Sequence, residues 1–187
     1  MNTIPRILAV CTGNICRSPA MERLLGRQLS SSALVRSAGT MALVGAPIAA
    51  PMAELLESVN VSASGFEARR LTRPMIDEAD LVLTASTEHR SEVVALQPLA
   101  MKKTFTLLEF ARNALHANPS IARLPLAERV PALSRHVLHA RPRMRLAPDQ
   151  IDIPDPYGHG EETYRASFAL ICQAVAQIAP ILATWQE

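Results

Sequence analysis

The sequence predicts an α/β fold of three layers, a central four-stranded parallel sheet with helices on both faces, plus a helical insertion at about residues 112–148. Three observations carry that prediction. Short aliphatic runs of strand length alternate with longer stretches of helical apolar spacing, the pattern of strand–helix–strand units. The first run, 6–11 (RILAVC), ends in a polar turn that opens a helix, and in parallel sheets ligands bind beyond the carboxyl ends of strands. The rhythm breaks only at 112–148, where helical sequence flanked by prolines replaces it.

Each element has its own signal. RILAVC has the β-branched and aliphatic content of a buried strand. Ser18 is placed to cap the next helix, Pro19 suits its first turn, and Met21, Leu24, Leu25 and Leu29 form its apolar stripe. A second strand is expected at 33–39 (ALVRSAG), ended by Gly39, then a turn and helix over 45–60 with Pro51 near the start and Asn60 at the end. Residues 72–79 (TRPMIDEA) read as a single helical turn and 80–85 (DLVLTA) as a third strand. The helix in 86–98 is capped by Ser86 or Thr87 and stops before Pro98. A short strand running into a helix is expected at 104–115. The last helix, 161–181, carries Phe168, Ile171, Val175 and Ile178 on one face.

Composition narrows the classes. With 187 residues and 49% hydrophobic content, the chain fits a single globular domain over 1–187 rather than a disordered protein. There is no uninterrupted apolar run of about 18 residues, so no membrane insertion is expected. The N-terminal stretch is too short before its polar turn to be a secretory signal. Three cysteines cannot form a full set of disulfides, which points to free thiols and a cytoplasmic location. Charge is uneven: residues 111–148 carry 7 Lys+Arg against 1 acid, residues 149–187 carry 1 against 6. The basic segment reads as a solvated helical excursion, able to attract an acidic partner or to act as a lid or docking surface beside the site. It holds no aromatic residue on which bases could stack, which argues against nucleic acid. His116, His136, His139 and His159 lack the spacing of a metal site, so no metal and no cofactor are expected.

The chemistry lies in 11–18, CTGNICRS. Between a strand and a helix, successive backbone N–H groups can point into one concavity, and the helix N-terminus adds partial positive charge. Gly13 and Asn14 are residue types that tolerate the left-handed backbone such a loop needs. Arg17 offers a planar fork for two oxygens of a tetrahedral oxyanion. Cys11 alone could be a small core hydrophobe. At the mouth of a phosphate-binding turn its thiolate would be favoured and would be a nucleophile. Ser18 could donate a hydrogen bond to that sulfur. Asp155 lies in a proline-rich loop, DIPDPYG, suited to hold an acid at a cleft edge; by composition Asp149 and Asp152 are its rivals.

VCTGNICRSP resembles the active-site loop of the low molecular weight protein tyrosine phosphatases. The likeness extends to VRSAGT at 35–40, FEARRLT at 66–72, DLVLTAS, TFTLLEFA and the IPDPYG loop, covering all but 113–148. It implies a phosphatase acting on phosphotyrosine in proteins, or a related phosphomonoester, through a phosphocysteine intermediate. Residue by residue, it makes Cys11 the nucleophile, Arg17 the oxyanion holder and Asp155 the acid that then activates water. Thr12, Gly13, Asn14, Ile15, Cys16 and Ser18 would bind the phosphoryl group, Tyr157 would line the mouth, and Ser37 would support Asn14. Cys16 would be the partner for a reversible disulfide with Cys11.

Departures sit on the substrate side. The 40–51 loop has no aromatic, Leu43 stands where one is common in the family, and Phe66 replaces a usual histidine. Ile15 resembles the tyrosine phosphatases, whereas phosphoarginine phosphatases tend to carry Thr there. Arsenate reductases on this scaffold relay a disulfide, but Cys172, the one remaining cysteine, reads as a core thiol in FALICQAVAQI. A non-catalytic anion-binding module is the competing class; its mark would be loss of Cys11, Arg17 or Asp155.

Overall fold

The computed structural model describes residues 4–30, 32–144 and 146–183. Arg145 of the basic segment lies outside the described residues. Four strands, β1 (Arg6–Cys11), β2 (Leu34–Gly39), β3 (Leu81–Thr84) and β4 (Thr104–Thr106), form one sheet in the order β2-β1-β3-β4. Every pairing is parallel. Strand alternation assigns the two faces. Ile7 and Ala9 of β1 and Leu81 and Leu83 of β3 enter the larger core, while Leu8, Val10 and Val82 enter the smaller one.

Helices α1 (Arg17–Leu29), α2 (Ala50–Ser58), α5 (Leu107–Ala114) and α9 (Glu161–Leu182) cover the first face, and α3 (Arg73–Glu78), α4 (Thr87–Leu96) and a 3₁₀ turn (Pro98–Lys103) cover the second. The short α6 (Pro119–Ala122), the long α7 (Leu126–Met144) and α8 (Pro148–Ile151) connect α5 to the final segment. Phe168, Ile171, Val175 and Ile178 of α9 are buried, as the apolar spacing predicts. By length and composition α9 could also cross a bilayer, with a mean hydropathy of 1.4. Polar residues such as Gln173 and Gln177 interrupt it, so it contains no unbroken apolar run of spanning length. Its apolar face is covered by the core. Cys172 lies at the edge of that face, half-buried rather than enclosed.

The 112–148 segment differs most from expectation. It is not a solvated excursion: Leu126, Val130, Leu133 and Val137 repeat at helical spacing and are buried in the main core. Of the flanking prolines, Pro125 does stand immediately before α7, but Pro142 does not end the helix: it lies inside α7, as does Pro131. Two of the arginines are internal fasteners. Buried Arg129 donates to the carbonyls of Leu124, Ile181 and Ala183, satisfying the open C-terminal end of α9. Arg141 donates to Glu109 and to the Thr104 carbonyl, and its guanidinium lies 5.1 Å from the Phe105 ring centre.

Glu109, 3% exposed, also takes Arg90 of α4 at 3.0 Å, so one buried carboxylate joins α4, α5 and α7. Removing it leaves two partly buried guanidinium groups without their counter-charge. Glu109→Ala is therefore expected to cost about 3 kcal/mol in urea unfolding, the low end for a broken buried pair because both arginines keep some solvent contact. An unfolding free energy within a few tenths of wild type would contradict this account of how α7 is held.

Candidate active site

Chain order places a cleft at the carboxyl end of β1, because the chain leaves β1 for β2 on one side and returns to β3 on the other. Cys11 ends β1 there, and residues 12–16 form the turn into α1. The carbonyls of Cys11, Thr12, Gly13 and Ile15 accept from the N–H groups of Thr40, Met41, Leu43 and Ala49 at 2.8 to 3.0 Å. Because a trans peptide points its N–H opposite its C=O, the amides of Thr12, Gly13, Asn14 and Cys16 turn to the inner side of the loop. An anion cradle results from where the carbonyls are tied.

Asn14 alone in the loop has a left-handed backbone, with φ 55°; Gly13 does not. Gly13 instead leaves room beside Ile15, whose Cγ1 would stand 3.4 Å from an added Cβ. The strained Asn14 is held from three sides. Its Oδ1 accepts the Arg69 backbone N–H at 2.9 Å, which fixes the amide orientation. Nδ2 then donates to Ser18 Oγ at 2.9 Å and to Ser37 Oγ at 2.8 Å. Ser37 donates onward to Glu22 at 2.5 Å, and Glu22 faces Arg69 at 3.7 Å.

Ser18 does not cap α1. The N-cap is Cys16, with no side-chain cap bond, and Ser18 sits in the first turn facing the loop. With Asn14 donating into its oxygen, the Ser18 hydroxyl has two acceptors for its proton, the Ala38 carbonyl at 3.4 Å and Cys11 Sγ at 2.9 Å; the nearer sulfur is the stronger acceptor once it is a thiolate. Cys11 is 2% exposed, at the base of a cavity of about 180 Å³. The walls include Thr12, Gly13, Ile15, Cys16, Arg17 and Asp155, with Met41, Leu43 and Tyr157 also lining the cavity. Arg17, 5% exposed, donates to the Ile153 carbonyl at 3.2 Å and to Asp155 Oδ2 at 2.6 Å, while its Nε is buried without a partner. Asp155 accepts also from the Tyr157 N–H at 3.2 Å. Asp152, by contrast, is occupied at the start of α4, taking the Thr87 N–H and hydroxyl at 2.8 and 2.9 Å. Asp149 sits in the first turn of α8 and does not line the cavity.

Cys16 lies behind the cradle, with its sulfur 3.7 Å from the Tyr164 hydroxyl. Burial above all pushes its thiol up to about 11, and burial likewise raises Tyr164 to about 12, so the pair is neutral at physiological pH.

Residues 6–123 match the family model described as low molecular weight phosphotyrosine protein phosphatase. The chain belongs to this family. Among curated phosphatases of the family, the Etp protein of Escherichia coli K12 is 44% identical over 98 residues, which is 52% of this chain and 66% of that relative. A putative low molecular weight protein-tyrosine-phosphatase of Klebsiella pneumoniae is 32% identical over 168 residues, 90% of each chain. Among solved structures, the YwlE arginine phosphatase of Geobacillus stearothermophilus superposes with a TM-score of 0.70 at 27% identity, covering 94% of this chain and 90% of that one.

Some participants escape motif reading. Glu22, Arg69, Tyr164 and His89 have no place in the loop motif, yet each touches it directly or through one partner. Glu22 could be found from helical spacing, one turn beyond Ser18 on α1. Gly39 carries a sharper requirement than a strand end. A Cβ there would stand 2.3 Å from the Thr12 carbonyl and 2.9 Å from the Asn14 nitrogen. Gly39→Ala must push the phosphatase loop aside, at about 1–3 kcal/mol of strain. The expected result is a lower Tm together with weaker inhibition by inorganic phosphate. Unchanged phosphate inhibition would show that the loop tolerates the displacement.

Proposed function

We propose that the chain hydrolyses phosphotyrosine in proteins through a phosphocysteine on Cys11, in the cytoplasm, without a metal or cofactor. The observation that carries this reading is the convergence on one small cavity of the Cys11 sulfur, the inward loop amides, and the Arg17–Asp155 pair.

The steps follow from the contacts. Phosphoryl oxygens enter the amide cradle and compete with Asp155 for the Arg17 fork. Asp155, close to half exposed, is then released from Arg17, takes up a proton from solvent and reaches the leaving oxygen. The Cys11 sulfur attacks phosphorus, the P–O bond to the leaving group breaks, and Asp155 gives that oxygen its proton. In the second step Asp155 takes a proton from water as the water oxygen attacks phosphorus; the S–P bond breaks, inorganic phosphate forms, and the sulfur keeps its electron pair. Ser18 donates to the sulfur while it is charged, before attack and after departure.

Substrate length and shape support tyrosine. The sulfur of a buried Cys11, below a rim that includes Met41, Leu43 and Tyr157, is reached by a phosphate on a flat, extended aryl group more easily than by one on a serine stem. Ile15, an aliphatic wall of the same cavity, suits a ring better than a guanidinium. The test is a panel of phosphotyrosine, phosphoserine and phosphoarginine peptides in metal-free buffer containing a chelator. Highest kcat/KM on phosphotyrosine is expected. Preference for phosphoarginine would move the reading to that activity, and no turnover of any phosphorylated substrate would favour an anion-binding module.

A further inference from the structure

Beneath the cradle lies a histidine that the reaction above does not use. His89, in the first turn of α4, is 3% exposed and bonded at both ring nitrogens. Nδ1 is 2.6 Å from Ser86 Oγ, and Nε2 is 2.8 Å from Thr12 Oγ1. Thr12 follows the nucleophile and lines the cavity.

Proton placement decides what this contact does. Ser86 Oγ already accepts the His89 backbone N–H as the cap of α4. If Nδ1 also donated to it, the Ser86 proton would be left buried with no acceptor. With the Ser86 hydroxyl donating to Nδ1, every group is satisfied, and the ring proton sits on Nε2 and is given to Thr12 Oγ1. The Thr12 hydroxyl then has its oxygen occupied and its own proton free toward the cavity. The imidazole stays neutral, since burial and then the Arg17 charge hold it at about 4, and a neutral ring is what this one-donor, one-acceptor chain requires. The same corner also grips the other side of the site. Ile153 N–H donates to the Ala85 carbonyl at 2.8 Å, and Thr87 binds Asp152.

We propose that His89 is a positioning residue: through Nε2–H it fixes the Thr12 hydroxyl as a hydrogen-bond donor to a phosphoryl oxygen in the cavity. This rests on the phosphatase reading for its role in turnover, but not for its effect on phosphate binding.

Kinetics on an aryl phosphate and inhibition by inorganic phosphate test it in wild type, Thr12→Val, His89→Leu, His89→Gln and the Thr12→Val/His89→Leu double variant. His89→Leu and Thr12→Val are each expected to lower kcat/KM and phosphate affinity about tenfold. The double variant should be no worse than either, and His89→Gln, which returns an N–H near the Nε2 position, should recover most of the loss. Additive losses, wild-type values in His89→Leu, or a His89→Gln as impaired as His89→Leu would overturn the proposal. Should His89→Leu not fold, ¹⁵N chemical shifts of the wild-type imidazole decide: the Nε2–H tautomer is expected, and the Nδ1–H tautomer contradicts it. If wild type turns over no phosphate ester, the phosphatase reading fails, while phosphate affinities and the tautomer still judge His89.

Discussion

Cys11→Ser is expected to take hydrolysis of an aryl phosphate down to the uncatalysed level while leaving phosphate binding within a few-fold of wild type. The two effects separate because the cradle and the nucleophile are different parts. Amides of Thr12, Gly13, Asn14 and Cys16 and the Arg17 fork remain when sulfur becomes oxygen. What changes is the attacking atom. A serine hydroxyl needs a base to become a nucleophile, and the neighbours of Cys11 Sγ offer none: Ser18 is a donor there, already receiving Asn14. Cys172→Ser, at the edge of the core on α9, should leave turnover unchanged. Residual activity in Cys11→Ser within tenfold of wild type would mean that another group attacks phosphorus.

Asp155→Ala is expected to lower kcat by about 10²–10⁴, with the loss graded by the leaving group. A phenolate of low basicity departs without help, so an activated nitrophenyl ester should lose less in the first step than a phosphotyrosine peptide. Loss of the base in the second step remains for both substrates, since water attacks the same phosphocysteine. An equal loss from Asp152→Ala would contradict the assignment, because Asp152 is engaged at the α4 N-terminus rather than in the cavity.

How much of this was legible in the sequence depends on range. Strand and helix positions follow from local periodicity, and RILAVC, ALVRSAG, DLVLTA and TFT each hold a strand of the sheet, the second and third shortened by one and two end residues. The loop could be read because its chemistry is contiguous: cysteine, arginine and serine stand within eight residues. Ser18 carries the local signature of a helix cap, a serine before an apolar stripe, but does not act as one. Its true partners, Cys11 and Asn14, exist only once the loop closes. Residues 112–148 depart from expectation for a related reason. Seven basic residues suggest a solvated face, yet the sequence does not say that Arg129 meets the end of α9 or that Arg141 meets Glu109. His89 is invisible in the same way, since its importance comes from a contact 77 positions away.

The account stands on a covalent bond between Cys11 and phosphorus. Asp155→Ala, mixed with an activated aryl phosphate, should release a burst of phenol equal to the enzyme present and then slow, because the first step no longer needs the acid and the second lacks its base. Acid quenching during the slow phase, followed by peptide mass spectrometry, should find one phosphoryl group on Cys11. Continued turnover with no phosphoryl group on Cys11, or with the group on another residue, would contradict the account.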